Sequence, residues 1–246
     1  MKKSSKILII IITLIFIQTG ITAFALVSNS TEKNNVESDD VLANFLTAFN
    51  VHEQYALEID RLIKKGYPLS DILIGYEFLY QSFGLISELE PLVEMKSTGI
   101  SWENVLIQYN GSHDTFVPRT FDSAYLETLM NTPSLTADDI MIADHVSFAT
   151  GKPIESIITA KMGTEHWKPI TVAEGVLYSA DSIPRVQITM EQLEMYIGTG
   201  LSEQQVVDAF VIAHKLEVDP STVIDMLQEN ATIEAIMANA YTNKYQ

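Results

Sequence analysis

A spaced set of residues recurs three times along this chain, and it constrains the fold more than any other feature. Residues 135–170 carry Leu135-Thr136, Asp139-Ile140, Ala143, Val146, a break at Gly151 and Pro153, Ile157-Ile158, and finally Trp167 and Ile170. The last third repeats this skeleton without gaps: Leu201-Ser202, Val206, Ala209, Ile212, Pro220, Val223-Ile224, Ile233 and Ile236. The offset is 66 residues at both ends (206 − 140 and 236 − 170). An earlier copy has Asp71-Ile72, Gly75, Phe78, Leu89, Trp102 and Val105, offset by 68 at its start (140 − 72) and 65 at its end (167 − 102). Periods of this size, with one small structural unit per period, point to stacked units that bury a continuous core.

Each copy reads as helical. Ile140, Ala143, Val146 and Ala149 recur every three places and line one helix face, and Val206, Ala209, Phe210 and Ala213 also share one face. Ser202 followed by Gln205 is a capping box, and Thr136 with Asp139 is its acidic relative. Asp219 is a good N-cap ahead of Pro220, which fits a first helical turn, and Pro153 after Gly151 plays a similar part. A helix of its own precedes each unit, through Leu62-Ile63, Leu129-Met130 and Tyr196-Ile197. Gly75, Ala143 and Ala209 align, and a small residue there implies close approach of a packed helix. Trp102 and Trp167 align with Ile233, so that place calls for apolar bulk rather than an aromatic face for stacking on sugars.

The ends and connections complete the plan. Lys2, Lys3 and Lys6, the aliphatic run 7–17 and Ala23-Phe24-Ala25 give residues 1–25 the form of a cleaved signal peptide. An uncleaved anchor helix is the rival, and both place the rest of the chain outside the cytoplasmic membrane. Residues 26–40 read as a disordered polar tether and residues 41–246 as an all-α repeat domain, with units at about 66–109, 134–172 and 200–241. One helix is expected from Asp39-Asp40 to Lys65, stopped by Gly66. Residues 110–119 form a turn-rich connection opened by Asn110-Gly111, and residues 171–187 a second one, with a brief extended segment at residues 185–188. The chain should end in a frayed polar tail.

Chemistry is hard to find in this text. The chain has 246 residues, 47% hydrophobic, with 32 acidic against 15 basic residues and no cysteine. A net charge of −17 repels phosphate backbones and argues against nucleic acid as a partner. Without cysteine there are no disulfides, thiolate metal sites or cysteine nucleophiles. None of the five histidines (His52, His113, His145, His166, His214) pairs at metal-binding spacing, so they read as surface or half-buried. The acidic pairs Asp39-Asp40, Asp138-Asp139 and Glu88/Glu90 read as helix N-terminal residues that favour the helix dipole. No calcium loop, nucleophile elbow, phosphate loop or Ser-x-x-Lys pattern occurs. No catalytic, cofactor-binding or metal residue can be named, and no cofactor is expected.

The composite of Asp-Ile or Val-Val, a small residue three places on, a Gly/Pro break and Trp-x-x-Ile resembles repeats of secreted helical proteins of Gram-positive bacteria, over residues 66–237. That resemblance implies an all-α fold and carries no activity or catalytic residue. The reading is therefore a non-enzymatic, extracytoplasmic interaction or structural module of the bacterial cell envelope. Its partner would be a protein or envelope component, and it would meet a membrane only through residues 1–25 if they are retained. The alternative is a cell-wall hydrolase or related secreted enzyme whose acid is one of the scattered glutamates.

Overall fold

The structure, a computed structural model, describes residues 11–13 and 34–246. Among the described residues it is helical almost throughout, with thirteen α-helices and two three-residue strands. Helix α1 spans Asn34–Ala48. A first set follows: α2 (Glu53–Lys64), α3 (Leu69–Ser82), α4 (Leu89–Ser97) and α5 (Trp102–Ser112). The second set is α6 (Ser123–Met130), α7 (Ala137–Thr150), α8 (Ile154–Met162) and α9 (Lys168–Glu174). The third is α10 (Met190–Ile197), α11 (Glu203–Leu216), α12 (Pro220–Gln228) and α13 (Ile233–Tyr245). Strands β1 (Ile11–Thr13) and β2 (Arg185–Gln187) pair antiparallel, with Ile12 opposite Val186. No described helix is long and apolar enough to cross a membrane. Apart from β1, the segment read as a signal or anchor lies outside the described residues.

Local chemistry starts these helices where the sequence places them. Thr136–Asp139 and Ser202–Gln205 form reciprocal capping boxes, which satisfy backbone N–H groups that a helix leaves orphaned. Asp219 caps α12, whose first residue is Pro220. Gly66 ends α2 with φ +94, a conformation that costs glycine little. Gly75 lets α3 approach its neighbours closely: a Cβ there would lie 3.1 Å from Leu89 Cδ1 and 3.6 Å from Trp102 Cη2.

Several expectations need correction. The single helix to Lys65 is two helices, because Asn50 turns left-handed (φ +45) and His52 accepts from Gln54 N (3.3 Å) to cap α2. Helix α1 begins inside the span read as a tether, whose residues 26–33 lie outside the described residues, and Asp39-Asp40 sits within α1 rather than at its start. Asn110-Gly111 belongs to the last turns of α5, where Asn110 Nδ2 donates to Glu234 Oε1 of α13 (2.9 Å). The connection read from residue 171 starts later and is partly buried. Helix α9 runs on to Glu174, and Val176, Leu177, Tyr178 and Ile183 are buried beyond it. Leu177 N donates to Gly84 O (2.9 Å) and Ile86 N to Gly175 O (2.8 Å), so this segment ties the second set to the first. The polar tail is helical through Tyr245.

The sets do not form an open row. Helix α13 returns to pack on α3 and α5. The first two sets share one core with α1, while the third has its own, around Val206, Phe210, Ile212, Val223, Ile224 and Ile236. Helix α13 bridges them, with Ile236 in the second core and Ala238 and Tyr241 in the first.

Candidate functional site

Buried polar side chains are the place to look for chemistry, because each needs a reason to be there. The densest group surrounds Asp139, the third residue of α7. Its Oδ2 accepts from the backbone N and the hydroxyl of Thr136 (both 2.8 Å). Its Oδ1 accepts from Trp167 Nε1 (2.8 Å) and lies 3.4 Å from Lys161 Nζ. Lys161 is buried, donates to Glu165 O (3.0 Å) and sits 5.9 Å over the Trp167 ring. Trp167 has no exposed surface, so the core reading of this residue holds. An open depression borders the group, lined by Asp139 and Lys161 themselves together with Ser134, Thr136, Thr164, Glu165 and Asp181. On its rim Asp181 accepts from Trp167 N and meets His166 Nδ1, both at 2.7 Å.

This arrangement suits a lock better than a reaction. Burial raises the Asp139 pKa, but the Thr136 N–H and O–H, the Trp167 N–H and Lys161 outweigh it and leave the carboxyl below its ordinary value. A carboxylate held this way is a poor base. Its oxygens are already occupied, and Lys161 is committed to that carboxylate and to the Glu165 carbonyl.

The first set holds a related pair. Trp102 Nε1 donates to Asp71 Oδ1 (2.9 Å), and Asp71 is the third residue of α3. Lys96 Nζ donates to Ile100 O (3.3 Å), four residues on, as Lys161 does to Glu165 O. Lys96 and Lys161 lie 65 apart (161 − 96), the offset of the two tryptophans. In the third set the offset of 66 leads from Asp139, Lys161 and Trp167 to Gln205, Leu227 and Ile233 (205 − 139, 227 − 161, 233 − 167). Gln205 is exposed there, and Leu227 and Ile233 are half-buried.

The sequence signals Asp139 as a capping residue and Asp71 only as its counterpart in the earlier copy, and it signals neither tryptophan partner. A second network escapes it altogether. Glu77, buried within apolar α3, accepts from Lys244 Nζ (2.9 Å to each oxygen), from the Tyr245 hydroxyl and from Gln81 Nε2 (3.2 Å). Tyr241 OH donates to Gln81 Oε1 (2.9 Å). Through these bonds α13 is clamped to α3. A lone acid in an apolar run was the available signal, since a buried charge calls for a partner.

Several other acids and histidines also serve the fold. Glu88 Oε2 accepts from Leu85 N and Tyr109 OH (both 2.8 Å). Glu90 binds Arg61 and Lys65, and these hydrogen bonds hold it down at about 2. His113 stacks on Tyr109 and meets Glu88 (3.1 Å). His145 is half-buried between Phe83 and Phe116, and burial lowers its pKa to about 3. Asp144, also buried, pairs with Arg119. Among the described residues no three His, Asp or Glu side chains are grouped to hold a metal ion. No family model, curated protein or solved structure matches this chain.

Proposed function

We propose that the chain is a non-enzymatic interaction or structural module of the bacterial cell envelope, built from three copies of a four-helix unit and exported by residues 1–25. The observation that carries this reading is the use made of its buried polar groups. Asp71, Asp139, Asp144 and Glu77 each join one helix to another segment, and the donors around them are drawn from the same framework. The Asp–Trp pairs recur at matching places in the first two sets, which supports a duplicated unit.

The first helix of each set also carries exposed apolar side chains: Leu57 on α2, Leu126 and Met130 on α6, and Met190, Met195 and Ile197 on α10. Exposed apolar groups recurring on related helices suit the binding of a protein or envelope polymer. The acidic surface keeps such a module soluble outside the cell.

The test has two parts. Envelope extract is passed over the immobilised domain, and bound material is identified by mass spectrometry and rebound in pure form. Leu126→Glu with Met130→Glu should weaken that binding while the circular dichroism stays helical. Hydrolysis of purified cell wall, lost on replacing Glu88 or Glu90, would overturn the reading. Protein recovered from cells should begin near Leu26. A membrane fraction that retains Met1 would replace cleavage with anchoring.

A further inference from the structure

Tyrosines of α2, α3 and the segment after α9 enclose a small cavity. Tyr55, Tyr76, Tyr80 and Tyr178, all buried, form its inner wall, and the exposed Asn50 and half-buried Lys168 stand at its outer end. The cavity measures about 10 Å³, room for one oxygen-sized atom. Most hydroxyls around it are spent on the framework. Tyr55 OH donates to Val176 O (3.2 Å) and Tyr178 OH to Ser182 O (2.7 Å). Ser179 Oγ donates to Phe49 O (2.9 Å), which makes Tyr80 OH the donor in its 3.2 Å bond to Ser179. Tyr76 is the exception. It is 2% exposed, yet its hydroxyl has no hydrogen-bond partner among the described residues. No fully enclosed polar side-chain atom among those residues lacks a partner, so the Tyr76 hydroxyl opens onto the cavity that it lines.

The groups left over are donors. Burial pushes the Tyr76 pKa well up, so its hydroxyl keeps its proton. Lys168 Nζ uses one hydrogen on Asn50 Oδ1 (2.9 Å) and has two more, as has the Asn50 amide nitrogen. No carboxylate lines the space, although the chain carries 32 acids and a net charge of −17. The depression beside Asp139 is the contrast, since Glu165 and Asp181 also line it and its lysine is committed. Donors at both ends, a cation and no acid call for a negatively charged acceptor. Size and charge narrow the class. The inner space admits one oxygen, and one lysine balances a single charge. A carboxylate meets both conditions, whereas a phosphate monoester brings nearly two charges.

We propose that this cavity receives a free carboxylate: one oxygen enters and accepts from the Tyr76 hydroxyl, and the other stays at the mouth against Lys168 and Asn50. The inference rests on the reading of the chain as an interaction module and names the chemistry of its partner, a peptide or polymer with an exposed carboxylate. The site is built in advance. The Tyr55 bond to Val176 O and the Tyr80 bond to Ser179 tie α2 and α3 to the segment after α9. The Tyr80 ring also packs edge-on against Phe49 of the α1–α2 turn, at 5.1 Å. A ligand therefore meets a formed pocket and need not order one.

The test is a titration of the full chain followed by nuclear magnetic resonance at the Tyr76 and Lys168 amides. Acetate is the smallest probe, and acetamide is its uncharged match in shape. Acetate should shift these amides saturably and acetamide should not. Tyr76→Phe keeps the ring and removes the hydroxyl, and should weaken acetate binding roughly tenfold. Lys168→Gln, at the outer end, should weaken it too and serves as the second variant if Tyr76→Phe folds poorly. N-acetylglycine and glucuronate then separate a peptide terminus from an acidic sugar, and tighter binding of either than of acetate names the source. Acetate alone binding, with neither larger ligand accepted, overturns the assignment of a partner. No saturable shift, equal shifts by acetamide, or acetate binding unchanged in both variants overturns the site. Tighter binding of inorganic phosphate than of acetate overturns the carboxylate. All of these ligands are pure compounds, so failure here is distinct from failure to capture anything from envelope extract.

Discussion

The second and third sets of helices are packed in different ways. In the second, a buried carboxylate, lysine and indole are joined around the start of α7: Asp139, Lys161 and Trp167. At the matching places of the third stand Gln205, Leu227 and Ile233, and the glutamine has turned outward to serve only the Ser202 cap. None of the three residues found 66 places on could take part in such a cluster as its acid, base or indole. A buried carboxylate without its donors, or a buried ammonium without its carboxylate, costs more than the intact group or its apolar replacement. Such a cluster is stable whole or absent, and half of it is the worst state.

The largest effects should come from breaking the second set. Trp167→Ala removes a fully buried indole and one donor to Asp139, and should lower stability by about 3–5 kcal/mol in chemical denaturation. Its counterpart Ile233→Ala is only half-buried and should cost about 1–2 kcal/mol, below the range for full burial. Equal losses at the two sites would end the distinction between them.

A sharper form exchanges the trio. Asp139→Gln, Lys161→Leu and Trp167→Ile together should cost less than the sum of the three single changes, by about 0.5–3 kcal/mol for each coupled pair. Strict additivity of denaturation midpoints would show three independent residues instead.

This comparison also marks what the sequence could and could not carry. The helix starts were legible because capping is local: Thr136–Asp139, Ser202–Gln205 and Asp219–Pro220 announce themselves within four residues. Burial of Trp167 was legible because its counterpart is Ile233. Links over long separations were not. Glu77 to Lys244, Asp139 to Trp167 and Tyr55 to the Val176 carbonyl depend on how helices come to rest, and no periodicity encodes that. The return of α13 onto α3 was hidden for the same reason, since Lys244 and Tyr245 read as an ordinary polar end. The buried stretch at residues 176–178 was passed over because turn residues surround it.

Smaller effects test the close approach that the sets have in common. Ala143 is fully buried, and Ala143→Leu should overpack α7 by about 1–3 kcal/mol. Ala209→Leu should behave alike in the third set, where Ala209 is as fully buried. An unmoved midpoint for either would show that its neighbours can yield.

The smallest effect concerns pH, and it separates the sets by charge alone. Asp139 is held below its ordinary pKa in the folded chain. Its interactions therefore add stability above the unfolded value of ~3.9, and this is lost as pH falls through the folded value. Gln205 carries no proton to exchange. In urea, the deficit of Asp139→Asn relative to the native protein should thus be full at pH 6 and shrink below ~3.9, where the unfolded carboxyl takes up a proton before the folded one. The deficit of Gln205→Ala should be the same in both conditions. His145 also loses stability in acid, but it does so in the native protein and the Asn variant alike, so it cancels from the difference. A deficit for Asp139→Asn that holds constant from pH 6 to 3 would mean that shape, and not charge, is what Asp139 contributes. The second set would then differ from the third only in the size of its side chains.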